Sequence, residues 1–131
     1  MKFSASIKNN PDNHKVTLKV GDKEQSLPIA RKRTGGSSIT GGELLFLALA
    51  TCFCNDIYRE GTKRGIQVES VEVHVEGDFE AERMPATNIV YRARVKADAS
   101  DEAIQELILY TDSIAEIQNT LRVGTPVRLE L

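Results

Sequence analysis

Cysteine is nearly absent from this 131-residue chain, which holds only Cys52 and Cys54, one residue apart. Two thiols so placed make no disulfide framework, and a reducing compartment leaves both free. Histidine is as scarce. His14 falls in a turn and His74 on an exposed strand face, neither at a ligand spacing from the cysteines, so no metal site is expected. Charge of one sign is also missing: 17 basic against 19 acidic residues give a net charge of -2, without the basic excess of a nucleic-acid binder. The apolar run Leu44 to Ala50 falls far short of the roughly 20 residues that cross a bilayer. The opening MKFSASIKNNPDNHK lacks the apolar core and cleavage site of a secretory signal. A cytoplasmic protein without membrane or nucleic-acid partners is therefore expected.

What is present centres on TGGELLFLALATCFCNDIYREGTKR, residues 40–64. Leu44 to Ala50 are apolar on every side of a 3.6-residue turn, whereas a surface helix keeps one polar face. The pattern predicts an enclosed helix about 35 Å long, at 1.5 Å per residue. A single small domain seldom surrounds such a helix alone, so a sheet on one side and a second subunit on the other are expected. Thr40 is positioned as N-cap, with Glu43 completing a capping box. Lys63, Arg64 and Gly65 mark the far end, and Gly61 weakens the last turns.

Period-2 alternation predicts a strand over Phe3, Ala5 and Ile7, a second over Val16, Leu18 and Val20, and a short third from Gln25 to Ile29. Asn9 to Asn13 and Gly21-Asp22 read as turns. The stretch TGGSSITGG reads as a flexible connector; it matches neither a P-loop nor a GxGxxG fingerprint, which argues against nucleotide binding. Arg31-Lys32-Arg33 is either a solvated strand end or loop, or a partner for an anion or thiolate. After the central helix, strands are expected at Val68 to Val75 and Ile89 to Val95, with Glu72 and Glu76 facing Arg92 and Arg94. A second helix is expected from Asp101 to Leu121, capped by Ser100, then a closing strand from Val123 to Leu131. The order implies an α+β fold with helices against one face of an antiparallel sheet.

The stretch ELLFLALATCF, the helix end KRGI, the strand VEVHVEGDFE and the closing IQNTLRVGTPVRLEL resemble the OsmC/Ohr family of thiol-dependent hydroperoxide reductases, with element order agreeing over nearly the whole chain. The resemblance implies a single OsmC-like domain over residues 1–131, paired into an intertwined homodimer with two sites at the interface. It assigns the peroxide-attacking role to Cys52, immediately before Phe53. Counting back from Leu121, the family's resolving cysteine falls on Ala115, so that thiol is missing. The family's acidic residue before the helix falls on Gly42, with Glu43 one place later as a substitute. The family's arginine, on an upstream strand, corresponds to Arg31 or Arg33, which share a strand face.

Chemistry alone asks the same of the site. Thiolate is the nucleophile and a free thiol titrates at about 8.5, so a reactive cysteine requires a cation, a donor or a helix N-terminus. Cys52 lies more than two turns into its helix, where the dipole has faded, leaving the task to a cationic side chain. Cys54 points about 200° away around the helix axis, which disfavours a Cys52–Cys54 disulfide; Cys54 reads as a small core hydrophobe, with a second redox thiol as the alternative. Two readings result. One is a cofactor-free peroxidase in which Cys52 becomes a sulfenic acid restored by an external thiol, preferring organic peroxides because leucine and phenylalanine surround it. The other is a noncatalytic dimer of the same fold that binds an apolar small molecule.

Overall fold

The computed structural model describes every residue from Met1 to Leu131. The chain forms two compact units, Met1–Leu44 and Leu45–Leu131. No helix is long and apolar enough to cross a membrane.

In the first unit, β1 (Phe3–Asn10), β2 (Asn13–Val20) and β3 (Lys23–Ser26) form an antiparallel sheet in that order. Register places Phe3 opposite Val20, Ala5 opposite Leu18 and Ile7 opposite Val16, so the alternating apolar residues share one face. Asn10 closes the first turn, its Oδ1 accepting from the Asp12 and Asn13 amides at 2.8 and 2.9 Å. The third strand runs earlier than the expected Gln25 to Ile29. It starts directly after the Gly21-Asp22 turn and stops before Pro28, which has no N–H for a ladder.

The glycine-rich stretch is a hydrogen-bonded turn rather than a flexible connector. Gly35 and Gly36 hold φ of 101° and 93°, where only glycine sits without strain. Lys32 N–H donates to the Gly36 carbonyl and Ser38 N–H to the Ala30 carbonyl, both at 2.9 Å. The Asn9 side chain clamps Gly36, accepting from its amide at 2.9 Å and donating to its carbonyl at 3.1 Å.

Helix α1 (Gly41–Lys63) begins with the expected capping box. Thr40 Oγ1 accepts from the Glu43 amide at 3.2 Å, and Glu43 Oε1 accepts from the Thr40 amide at 3.3 Å. Gly65, at φ 70°, ends it, with the Ile66 amide returning to the Gly61 carbonyl at 2.8 Å.

In the second unit, β4 (Val68–Asp78) and β5 (Thr87–Ala97) make a separate antiparallel pair, so two sheets replace the single one expected. Their inward valines, Tyr91 and Ala93 pack on a core of Phe53, Ile57 and Leu107. The Phe53 ring meets Tyr91 edge-on, centroids 5.1 Å apart. On the outer face Arg92 pairs with Glu76 at 2.7 Å and Arg94 with Glu72 at 3.9 Å, as the charge pattern predicts. Exposed pairs of this kind set register more than they stabilise.

Helix α1 is not enclosed on all sides within the chain. Leu49, Phe53, Asp56, Ile57, Glu60 and Gly61 are buried on one stripe, while Leu47 is 57% exposed. Gly61 proves structural there: a Cβ would lie 2.9 Å from Val68 Cγ2 and 3.3 Å from the Ile66 carbonyl oxygen.

The expected second helix is interrupted. It forms α2 (Asp101–Ile114), capped by Ser100 Oγ accepting from the Ala103 amide at 3.1 Å, and α3 (Glu116–Arg122). Between them Ala115 is extended, with φ -67° and ψ 114°, and fully buried. Side chains of α3 replace the lost backbone bonds: Asn119 Nδ2 donates to the Ser113 carbonyl at 3.0 Å and Arg122 Nη1 to the Asp112 carbonyl at 3.1 Å. The closing strand is absent too. From Thr125 to Leu131 the chain is irregular, with Val127 and Leu129 exposed and Pro126 unable to donate to a ladder.

Candidate functional site

Three turns into α1, Cys52 is half-buried and its thiol meets a carboxylate. The i, i+4 spacing stacks Asp56 on the same helix face, and Cys52 Sγ donates to Asp56 Oδ2 at 3.7 Å. Asp56 is itself buried and is held from its other oxygen by Arg59 Nη1 at 3.0 Å. Arg59 Nε continues to Glu60 at 3.3 Å, and Glu60 accepts from Lys63 at 3.2 Å, so a line of alternating charges runs along the last turns of the helix.

A second element closes on the sulfur. The break at Ala115 turns α3 so that the Glu116 carboxylate, the Asp56 carboxylate and Cys52 Sγ all lie within 4.8 Å of one another. The Ile117 backbone N–H also faces the sulfur and favours its anion. Gln118 anchors this approach, its Nε2 donating to the Leu49 carbonyl oxygen at 3.0 Å.

The electrostatics favour the protonated thiol. Burial raises the Cys52 pKa above its ordinary value, and the negative charges of Asp56 and Glu116 add to that rise against the Ile117 amide. Burial likewise raises Asp56, with Arg59 opposing. Cys52, Asp56 and Glu116 are close enough to share a metal ion, but Arg59 already supplies Asp56 with a positive partner at 3.0 Å. The histidines are elsewhere: His14 bonds Asn9 at 2.9 Å and His74 is exposed on β4.

Of the residues singled out from sequence, Cys52 sits in this cluster. Cys54 is half-buried in a hollow with Ala50, Thr51, Asn55, Val71 and Val73. Glu43 belongs to the first unit, its carboxylate engaged in the capping box and accepting from Thr40 Oγ1 at 2.8 Å. Arg31 and Arg33 are also in that unit, and neither lies in a strand proper. Arg31 makes an isolated bridge with Ser37 and donates to the Pro11 carbonyl at 2.8 Å. Sequence reasoning missed Asp56, Arg59 and Glu116. The first two carried a signal, since they stand four and seven residues after Cys52, on its helix face; Glu116 had none, because only the break at Ala115 aims it.

Residues 34–130 match the family described as OsmC-like protein. The chain belongs to that family. No curated protein matches it in sequence. The OsmC-like fold extends over nearly the full chain in solved structures. An OsmC-like protein from Mycoplasma pneumoniae superposes with a TM-score of 0.67 at 17% identity, covering 93% of this chain and 88% of that one. An OsmC-like hydroperoxide resistance protein from Jannaschia sp. gives 0.58 at 14% identity, with 98% and 89% covered. The organic hydroperoxide resistance protein OsmC from Legionella pneumophila gives 0.54 at 18%, with 93% and 90% covered. At these identities the likeness concerns the OsmC-like fold.

Proposed function

We propose that this OsmC-like chain reduces organic hydroperoxides through Cys52, with an external thiol as reductant and no bound cofactor. The observation that carries the reading is the state of Cys52: a free, half-buried sulfur on the central helix, with an acid in hydrogen-bond contact. The leucines and phenylalanines of α1 support an organic peroxide over hydrogen peroxide. Ala115 takes the place of the resolving thiol, so the sulfenic acid on Cys52 is returned by two external thiols, which leave as a disulfide while the oxygen leaves as water. Arg31 or Arg33 as cation for the thiolate, with Glu43 as the acid that orients it, is the assignment the family resemblance supports; within the chain Arg59, paired with Asp56 at 3.0 Å, is the cation beside the acceptor of the Cys52 thiol. The active unit is a cytoplasmic homodimer; Leu47 and Tyr58 on α1 and Leu109 and Tyr110 on α2, all exposed in the single chain, support a covering partner.

One observation favours a noncatalytic dimer that binds an apolar small molecule instead. The Cys52 pKa is raised, first by burial, where a peroxide-reducing thiolate calls for a lowered one. Cumene hydroperoxide consumption in the presence of a dithiol separates the two readings, with Cys52→Ser as reference. Loss faster than in the variant, with a dimedone adduct on Cys52, supports the enzyme; equal rates leave the binding protein.

A further inference from the structure

Asp56 is the acceptor of the Cys52 thiol, and it is locked in place. Its Oδ2 takes the thiol at 3.7 Å while its Oδ1 is fixed by Arg59 at 3.0 Å, and Arg59 is steadied in turn by Glu60 at 3.3 Å. Asp56 is only 2% exposed, so its carboxylate depends on protein partners rather than bulk solvent. Nucleophile, acceptor and orienting cation thus follow one another along a single helix, fixed by the spacings 52, 56 and 59.

We infer that Asp56 is the catalytic proton carrier for Cys52 and that Arg59 is the positioning residue that aims it. The inference rests on the peroxide-reducing reading above. Cys52 Sγ attacks the terminal oxygen of R–O–O–H; an S–O bond forms as the O–O bond breaks, the sulfur being oxidised by two electrons and the peroxide reduced. The thiol proton moves to Asp56 Oδ2 and from there to the departing alkoxide. Cys52 is left as sulfenic acid and the substrate as the alcohol, so atoms and charge balance. A thiol held protonated by its surroundings then becomes workable, because the proton is removed only as the sulfur attacks. The charged groups around the sulfur are Asp56 on α1 and Glu116 on α3, with Arg59 acting through Asp56. Glu116 is exposed and forms no salt bridge, whereas Asp56 is held by Arg59 at 3.0 Å, which makes Asp56 the oriented member of the two.

The test pairs two reactions of Cys52 in the full-length protein: sulfenic acid formation with cumene hydroperoxide in single turnover, and alkylation by iodoacetamide, whose leaving iodide needs no proton. Asp56→Asn slows sulfenic acid formation by about 10- to 100-fold, while alkylation is unchanged or faster because a negative neighbour has gone. Arg59→Gln gives a smaller loss on peroxide, and Arg59→Lys restores part of it. In the unaltered protein, sulfenic acid formation varies little from pH 6 to 8 whereas alkylation climbs about tenfold per pH unit. The inference is overturned if Asp56→Asn forms sulfenic acid as fast as the parent, or if both reactions climb in parallel with pH, each reaction being assigned to position 52 by fragment mass spectrometry because Cys54 is a second free thiol. Should the parent itself consume peroxide no faster than Cys52→Ser, the function falls and this role falls with it.

Discussion

Gln118 Nε2 donates to the Leu49 carbonyl oxygen at 3.0 Å, joining α3 to the turn of α1 just before Cys52 across 69 residues of sequence. The bond is buried, and it holds the segment that carries Glu116 and Ile117 against the sulfur. Gln118→Leu removes this bond while the Leu49 carbonyl keeps its helix partner, and is expected to destabilise the protein by about 0.5–1.5 kcal/mol. Chemical denaturation measures the loss, and iodoacetamide labelling of Cys52 speeds up in parallel as α3 loosens.

Gly61 sets a second expectation. In an exposed helix, alanine for glycine gains up to about 1 kcal/mol. Here the added methyl meets Val68 Cγ2 at 2.9 Å and the Ile66 carbonyl oxygen at 3.3 Å, where β4 begins directly beside the helix end. Gly61→Ala therefore destabilises, by about 1–3 kcal/mol for an overpacked site. A raised melting temperature would contradict this packing.

The pH dependence of stability follows from Asp112. Burial opposes its charge, but the Tyr91 hydroxyl donates to it and Arg122 pairs with it at 2.7 Å, so its pKa lies below the ordinary carboxylate value. A carboxyl whose folded pKa is lowered stabilises the fold above the unfolded value of about 4 and loses that contribution as pH falls through the folded value. Asp112→Asn should thus be less stable than the parent near pH 6, with the gap closing in strong acid. Thermal unfolding from pH 2 to 7 reads the gap, and a constant offset would refute the linkage.

Position 115 offers a test by addition. The neighbouring Glu116 brings a carboxylate oxygen within 4.8 Å of Cys52 Sγ, and Ala115 itself is buried in the bend. On the proposed mechanism, Ala115→Cys supplies a resolving thiol, and one equivalent of cumene hydroperoxide then removes two free thiols per chain instead of one. Thiol counting under denaturing conditions distinguishes the outcomes.

Much of the frame was legible in the chain. The capping box at Thr40 and Glu43, the paired charges of Glu76 and Arg92, and the inward Tyr91, Ala93 and Val95 all follow from local periodicity, which the folded chain keeps. The errors lie where tertiary bonds overrule local preference. No proline or glycine announces the break at Ala115; it is made by Asn119 and Arg122 reaching back to carbonyls of α2. TGGSSITGG looked slack because glycine is permissive, yet Asn9, 27 residues away from Gly36, fastens it. At the site, Cys52 stood out by its setting, while Asp56 and Arg59 passed as the polar end of an apolar helix, since a charge at i+4 acquires meaning only once the helix is known to bury it.

Because the bend between α2 and α3 is tied by Asn119 and Arg122, its shape needs neither a proline nor a glycine at the apex. A scaffold of that kind holds its line by side chains downstream of the turn, so that Glu116 and the Ile117 amide meet the sulfur opposite from a fixed direction.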